Sequence, residues 1–264
     1  MSQSKIKIAM LVGAVIVLAA WTTTAVLTRL RMRTAIDDSI WDVKNHNPEK
    51  GNNLDNAAPG IVIIRPTHFA GGDQGGIGSM TGRIGGRNTT FENIICAAYG
   101  ISGSRIIYAA PVPGGRFDYA VTLTNQPGDK LQAAIKREFG LAAHREIRET
   151  DVLLLKTNAS NSSKMKPSSA TDGVMGFGPR QLVFSNQPIS LLRGDLEVWA
   201  YRLPVLDQTG LMERYDFVLD WPPPMGYVDE TGQKALRENL RRELGLELVP
   251  GREPVEMLVV EKAR

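Results

Sequence analysis

The stretch KREFGLAAHREIRETDVLLLK, residues 136–156, decides how this chain is divided, because its pattern occurs a second time. Residues 241–261 read RRELGLELVPGREPVEMLVVE and lie 105 positions later (241 − 136). Both stretches place a glycine and a leucine after a helix-like run, and both finish in an apolar, β-rich run. Self-similarity at a fixed spacing indicates two copies of one structural unit.

The helix before each glycine is predicted from the spacing of its apolar residues. Spacings of four put three apolar side chains of each copy along one helical face. The matched positions are Leu131, Ile135 and Phe139 in the first copy and Leu236, Leu240 and Leu244 in the second. Gly140 and Gly245 follow directly, as expected of glycines that end a helix in the left-handed conformation.

The match continues upstream at an offset of 98, where Asn88 falls on Asn186 and RFDYA (116–120) falls on RYDFV (214–218). Each copy is predicted to run strand, helix, strand, strand, helix, strand. The first strand is ambiguous in copy one, either IVIIRP (61–66) or the segment 82–88. This order predicts an α+β protein with two tandem βαββαβ units, ferredoxin-like or related, each burying one face of an antiparallel sheet under two helices.

The predicted domain organisation follows from the repeat and from composition. A membrane segment or signal anchor occupies 1–36, and a linker rich in Asn, Asp, Pro and Gly occupies 37–60. The first α+β repeat spans 61–160 and the second spans 180–264, with a polar, small-residue linker at 161–179 between them. A pseudo-twofold arrangement of the two copies is one expectation of such a duplication.

Residues 8–27 suggest the compartment. They read IAMLVGAVIVLAAWTTTAVL without a charge, long enough as a helix to cross a hydrocarbon core of ~30 Å. Lys5 and Lys7 precede the run as in a signal sequence. We therefore expect a single-pass signal anchor in the cell membrane with the folded body outside the cytoplasm, the alternative being secretion after signal cleavage.

Charge argues against a nucleic-acid partner. The formal net charge is +3, yet the N-terminus supplies five positive charges before the first acid, which leaves −2 for the remainder (3 − 5). Those five are Lys5, Lys7, Arg29, Arg31 and Arg33. The body therefore has no basic stripe of the kind that binds a phosphate backbone.

The stretch 71–86, GGDQGGIGSMTGRIGG, carries eight glycines and resembles a phosphate-binding loop only superficially. It lacks the Gly-Lys-Ser/Thr sequence of such loops, and Arg83 lies outside the required spacing. A flexible loop is the favoured interpretation.

Asp207 in LDQTGL is the strongest candidate for acid chemistry, because D-x-T-G after an apolar strand resembles a phosphorylated-aspartate loop. The 57 residues that follow lack the acidic Mg²⁺ ligands and the lysine that such enzymes need. A turn in which the Asp207 side chain bonds the backbone, with Gly210 at an unusual backbone angle, is the favoured interpretation.

The other reactive side chains give no recognisable site. Cys96 lies in an apolar helix-like run, which predicts a buried structural thiol. Asp118 and Asp216 alternate with aromatic residues on predicted strands, which predicts carboxylates on a solvated edge or in an ion pair. The three histidines, which show no metal-binding spacing, are His46, His68 and His144. We expect no cofactor and no metal.

Several segments together resemble a large soil-bacterial family of proteins of unknown function. The resemblance covers roughly residues 60–262, and its motifs are TFENIICAAYG, GGRFDYA, LQAAIKREFGLAAHREIRETDVLLLK, PVLDQTGLMERYDFVLDW and LGLELVPGREPVEMLVVEK. It implies an exported or membrane-tethered envelope protein. Members of that family also occur joined to sensor-type membrane metallopeptidases and to thioredoxin-like domains, and the resemblance brings no catalytic residues with it.

Two functions remain open. The favoured one is a non-enzymatic, envelope-tethered module that binds a protein, a peptide or a glycan, because an anchor, a duplication and no catalytic cluster are what the residues show. The alternative is an envelope hydrolase or transferase with a dispersed acidic site near Asp207. A pocket that brings Asp207 to two other carboxylates or to a lysine would favour the alternative.

Overall fold

The computed structural model describes residues 37–42, 52–77, 79, 81–158, 165–178, 180–222 and 228–264. The described residues form two compact units that alternate along the chain. The first unit lies within 1–98 and 113–138, and the second comprises 99–112 and 139–264. The structure is α+β, as predicted, with several sheets and few helices.

The strands number twelve among the described residues. They are β1 (Val62–Pro66), β2 (Gln74–Ile77), β3 (Ile84–Thr89), β4 (Ile106–Tyr108), β5 (Phe117–Val121), β6 (Leu141–Thr157), β7 (Lys166–Pro167), β8 (Val174–Phe177), β9 (Gln181–Pro188), β10 (Val205–Asp207), β11 (Arg214–Asp220) and β12 (Leu246–Lys262). The α-helices are α1 (Asn53–Asn56), α2 (Phe91–Tyr99), α3 (Pro127–Phe139), α4 (Ile189–Asp195) and α5 (Glu230–Asn239). Helices α4 and α5 continue as π-helix over Leu196–Tyr201 and Leu240–Leu244.

The first unit contains an antiparallel sheet in the order β1-β5-β3-β2. One face of it is covered by the chain that precedes β1. Trp41 and Leu54 are fully buried there against Ile63 and Ala120, and the indole Nε1 of Trp41 donates to the carbonyl of Tyr119 at 2.9 Å. The linker predicted at 37–60 is therefore wrong for its described part, because this part forms a 3₁₀ turn, Asp38–Trp41, and α1.

The described part of the glycine-rich stretch 71–86 forms regular structure, which corrects the prediction of a flexible loop there. It contains β2 and the start of β3, and the two strands pair antiparallel. The Asp55 carboxylate accepts from the Ser79 hydroxyl at 2.5 Å and from the Thr81 amide at 3.0 Å. Arg83 donates to three backbone carbonyls at the end of α1, those of Leu54, Asp55 and Ala57. The hydrogen bonds of Ser79, Thr81 and Arg83 thus attach this segment to α1.

The second unit is organised by β6 and β12. Each is 17 residues long, and they pair antiparallel without a break, from Leu141 opposite Lys262 to Thr157 opposite Leu246. The full sheet has the order β10-β6-β12-β4, with β10 parallel to β6 and β4 parallel to β12. Strand β6 begins at Leu141, directly after the helix-ending Gly140, and β12 offers it a partner along its whole length.

This sheet buries side chains on both faces. Leu153 and Leu155 of β6 point into the larger core of the second unit. On the other face Val152 and Leu154 pack with Val255 and Met257 of β12, together with Ile107 of β4 and Leu206 of β10. All strands of this second cluster belong to one sheet, so the cluster forms between neighbouring strands of that sheet.

A third sheet, also in the second unit, has the order β7-β11-β9-β8 and is antiparallel. Its inner face packs under α4, α5 and their π-helical ends. The fully buried side chains of this core include Leu182, Phe184, Leu192, Leu196, Leu219, Leu236 and Leu240. Strands β7 and β8 lie in the segment 161–179, so the predicted linker there is wrong for its described part, 165–178.

The ferredoxin-like sheet predicted for each repeat is not formed. Such a unit would place its four strands in one sheet, whereas the strands of both predicted repeats are divided between two. Within the first segment β3 and β5 pair with each other, while β4 and β6 join β10 and β12. The sequence period could predict the strands but not their partners, since pairing across 105 residues is set by tertiary packing.

Several local features occur at corresponding positions of the two segments. Asn88 and Asn186 both have positive φ, 50° and 49°, and donate their backbone N–H groups to Asp118 at 3.0 Å and Asp216 at 2.7 Å. Gly140 has φ 65°, and Gly245 has φ 68°. The left-handed conformation predicted for both helix-ending glycines is confirmed.

No helix among the described residues is long and apolar enough to cross a membrane. The membrane segment predicted at 8–27 lies outside the described residues.

Candidate functional site

The second unit contains a cavity of about 780 Å³ where β9 begins, β11 ends and α5 begins. Its walls are both polar and apolar. The lining residues are Gly178, Arg180, Gln181, Asp220, Trp221, Pro222, Asp229, Thr231, Gly232, Ala235 and Asn239. A concave site with a few convergent polar groups is where a small ligand is most often bound.

The helix side of the cavity is built by a side-chain cap. Asp229 is the N-cap of α5, and its carboxylate accepts from the amide of Gly232 at 2.8 Å. Gly232 has no room for a side chain, because a Cβ there would lie 2.5 Å from Val228 and 3.2 Å from Pro222. The close approach of these residues fixes the start of α5 as one wall.

The strand side is held by Asp220. Its carboxylate accepts from the side-chain Nε2 of Gln181 at 2.9 Å and lies 3.7 Å from the guanidinium of Arg242. Its backbone carbonyl accepts from Asn239 at 2.9 Å, and its backbone amide donates to Glu243 at 2.9 Å. The amides and carboxylates of this wall therefore already bond one another.

Two donors of the cavity lining stand apart from that network. The exposed side chain of Arg180 makes no hydrogen bond or ion pair with any described residue. Trp221 is 2% exposed, and its indole Nε1 has no hydrogen-bond partner within the described ranges. A buried donor left unpaired costs about 1–3 kcal/mol. Because this nitrogen is itself buried, it is not part of the accessible cavity surface.

Among the described residues the cavity lining contains no cysteine, histidine or lysine, and its ionisable groups are Arg180, Asp220 and Asp229. Over the described part of the chain no group of three or more His, Cys, Asp or Glu side chains could hold a metal ion. Sequence reasoning missed this site, and the only local signals are the WPPP run and the acidic N-cap before Thr-Gly.

Asp207 does not lie in this cavity. Its carboxylate accepts from the backbone amide of Thr209 at 2.9 Å and from the hydroxyl of the same residue at 2.7 Å. Gly210 has φ 71°. Asp207 therefore forms the predicted turn between β10 and β11.

The two aspartates of the repeated F/Y-D-Y/F motif differ in exposure. Asp216 is exposed, as predicted, and accepts from the Ser185 hydroxyl at 3.0 Å. Asp118 is 0% exposed, so the prediction of a solvated edge is wrong for it. The reason is the covering segment before β1, which buries that face of the sheet. Asp118 does form an ion pair, with Nε of Arg65 at 3.3 Å.

The remaining candidates are dispersed. His68 lies 2.8 Å from Asp38 in the first unit, while His144 lies between Glu146 and Glu261 in the second. Cys96, the single cysteine of the sequence, is a partly buried thiol in α2. His46 lies outside the described residues.

Two carboxylates of the second unit, the buried Glu197 and the partly buried Asp195, lie near the junction of α4 with its π-helix and differ in their hydrogen-bond partners. Glu197 is 2% exposed and accepts from Arg105 through both oxygens at 2.8 Å, from Ser104 at 2.8 Å and from the Val205 amide at 3.0 Å. Burial alone would raise its pKa, but these donors outweigh burial and lower it. Burial raises the pKa of Asp195 to about 6, and one of its oxygens has no partner among the described residues.

These environments predict opposite mutational effects. The lowered pKa of Glu197 makes its contribution to stability fully present above the unfolded pKa and lost as pH falls. Glu197→Gln should destabilise the protein at pH 7 by about 2–4 kcal/mol, because Arg105 loses its charged partner.

The raised pKa of Asp195 makes stability fall as pH rises from about 4 to about 6. Asp195→Asn should remove this penalty and stabilise at pH 7 by at most about 3 kcal/mol.

Urea unfolding of both variants at pH 4, 5, 6 and 7 measures the effect. The gain from Asp195→Asn should grow with pH and vanish near pH 4, whereas the loss from Glu197→Gln should shrink toward low pH. A pH-independent Asp195→Asn effect, or a stabilising Glu197→Gln, would contradict this electrostatic description.

Residues 92–263 match the family described as "Protein of unknown function (DUF3738)", and the chain belongs to that family. No curated protein matches the chain. No solved structure matches it either. The match covers residues 92–160 of the first predicted repeat and nearly all of the second, and the family description names no activity.

Proposed function

We propose that this protein is a non-enzymatic binding module and that the cavity at the start of α5 is its ligand site. The observation that carries the proposal is an open cavity with polar and apolar walls. Its aspartates already accept hydrogen bonds from the protein, while the exposed guanidinium of Arg180 has no partner among the described residues. The fixed walls give a preformed site, which lowers the entropic cost of binding.

The alternative, a hydrolase or transferase acting through Asp207, gains no support from the geometry. Both bonds of the Asp207 carboxylate go to Thr209 next to it, and no other carboxylate or lysine is brought to the turn by a described contact. An acid or nucleophile needs a partner within hydrogen-bond reach.

We also propose that the module is tethered to the cell membrane by residues 8–27, with the folded body outside the cytoplasm. Support comes from the uncharged run of the sequence and from the resemblance to exported soil-bacterial proteins. A reporter enzyme that works only outside the cytoplasm should show activity when it is fused after Arg264. Activity only from a reporter that requires the cytoplasm would exclude this location.

We further propose that the two segments arose by duplication, with a pseudo-twofold axis within the sheet of β6 and β12. Shifting a residue of β6 by 105 gives the matching residue of β12, and each pair in the register has the residue-number sum 403 (141 + 262 = 157 + 246). The same shift carries Leu153, the neighbour of β10, onto Leu258, the neighbour of β4. If the two segments are related by such an axis, residue pairs of β6 and β12 that the axis exchanges should have the same distances and the same reactivity.

Blocking the cavity tests the binding proposal. Ala235 lines the cavity and is exposed, so Ala235→Trp should fill the space with little effect on folding. In a thermal-shift screen of small polar metabolites against the full-length protein, ligands that raise the melting temperature of the wild type should fail with Ala235→Trp.

The matched control is Lys234→Trp, an exposed position on the same helix outside the cavity lining. It should leave every response intact. Ligands that stabilise Ala235→Trp as well as the wild type would show that they bind outside the cavity, which would contradict the proposal. A screen in which no compound stabilises the wild type would contradict it as well.

A further inference from the structure

The outer face of the third sheet carries three exposed valines. Val183 of β9 lies directly opposite Val218 of β11, so both side chains project to the same face. Val174 of β8 pairs two residues further along β9 and hence projects to that face too. The exposed fractions of the three side chains are 41%, 45% and 59%. The next pair of the ladder, Leu182 and Leu219, projects to the other face and is buried in the core. The three valines therefore form an apolar patch that no described residue covers.

The sheet of the first unit has a pair at the corresponding place, and that pair is covered. Gly85 of β3 lies directly opposite Ala120 of β5, and adding 98 to both numbers gives the valine pair. The two sheets have the same order, with β3 and β5 in the positions of β9 and β11. Ala120 is fully buried in the cluster that contains Trp41 and Leu54. The chain before β1 therefore covers in one sheet the place that is open in the other.

A cation lies beside each of the two places. Arg65 of β1 and Lys166 of β7 are each opposite the aspartate of the repeated F/Y-D-Y/F motif. In the first unit the covering segment contacts this cation twice, because the Asp38 carboxylate lies 2.5 Å from the Arg65 guanidinium and the Trp41 ring centre lies 4.3 Å from it. The exposed Lys166 makes no hydrogen bond or ion pair with any described residue.

Charge complementarity at Lys166 therefore favours a carboxylate beside an aromatic ring. The neighbouring Asp216 already accepts from the Ser185 hydroxyl and from the Asn186 amide. One cation between two carboxylates is also the combination in the first unit, where Arg65 pairs with both Asp38 and Asp118.

The two places differ in depth, which restricts the partner further. A Cβ at Gly85 would lie 3.1 Å from Leu54, so the glycine makes room for that leucine. Val183 fills the corresponding room in the third sheet. A leucine seated like Leu54 would therefore lack space there, whereas a flat aromatic ring can lie on the valines.

We propose that the valine patch of Val174, Val183 and Val218 binds a short segment of a partner protein that carries an aromatic residue near an acidic one. Residues 38–41 (DSIW) have this chemistry and serve the first unit in the same way. The aromatic ring packs on the valines, and the carboxylate pairs with Lys166. This interaction surface goes beyond the proposed cavity site and does not require a ligand there.

The test uses the full-length protein and a synthetic peptide with the sequence of residues 37–42, DDSIWD, in which the tryptophan is 5-fluorotryptophan. The ¹⁹F signal of the peptide is followed as protein is added. We expect a saturable shift of this signal. The same peptide with its three aspartates changed to asparagine should bind about two- to fivefold more weakly, because the exposed ion pair with Lys166 is lost.

Variants assign the binding to the patch. Val218→Asp should weaken binding about tenfold or more, because it places a carboxylate beneath the ring. Lys166→Gln should weaken it about two- to fivefold and remove the difference between the two peptides. The matched control is Val198→Asp, because Val198 is 41% exposed like Val183 but lies on the π-helical continuation of α4, and it should change nothing. Thermal unfolding checks that each variant keeps its fold.

The possible failures are distinct. A missing shift, or binding that survives both Val218→Asp and Lys166→Gln, would overturn the proposal. Binding that is lost in Ala235→Trp but kept in Val218→Asp would place the peptide in the cavity instead. Self-association of the protein that Val218→Asp abolishes, measured by chemical crosslinking at rising concentration, would show a second copy on the patch and overturn the assignment to a partner segment.

Discussion

The uninterrupted pairing of β6 with β12 is the constraint on which the second unit depends. Seventeen residues of one strand are fixed opposite seventeen of the other, although the two strands are 105 positions apart in the chain. Closing so long a loop carries an entropic cost, which buried rows on both faces of the pair offset. Each strand also carries a parallel neighbour, β10 or β4, so every strand of that sheet depends on this register.

The hydrogen bonds that Glu197 accepts from both edges of this sheet explain why a buried carboxylate is tolerated. Glu197 accepts from Arg105, just before β4, and from the amide of Val205, the first residue of β10. Strands β4 and β10 are the two edges of the sheet, and one side chain bonds both ends. A charge that is fully hydrogen-bonded can be buried, whereas its removal leaves Arg105 unpaired. The cavity at α5 lies within the same unit, and its walls consist of a helix cap and the end of a strand pair.

Local patterns were readable from the sequence, and long-range partners were not. Helix α2 and strand β5 lie where apolar periodicity placed them, and the left-handed glycines Gly140 and Gly245 follow from their position after a helix. The burial of Asp118 could not be predicted, because Trp41 and Leu54 come from a segment whose composition is typical of a linker. The cavity was missed because Arg180 and Trp221 are 41 positions apart (221 − 180) and meet only through the register of β9 and β11.

Disulfide crosslinking across β6 and β12 tests the central pairing most directly. In a Cys96→Ala background, the exposed pair Asp151→Cys/Arg252→Cys and its symmetry mate Ile147→Cys/Glu256→Cys each occupy directly opposite positions, within disulfide reach. Both pairs should crosslink rapidly and alike under mild oxidation. The slipped pair Ile147→Cys/Arg252→Cys is offset by four residues, roughly 14 Å along the strand, and should not. Crosslinking of the slipped pair as fast as the opposite pairs, or of only one opposite pair, would contradict the two-fold register.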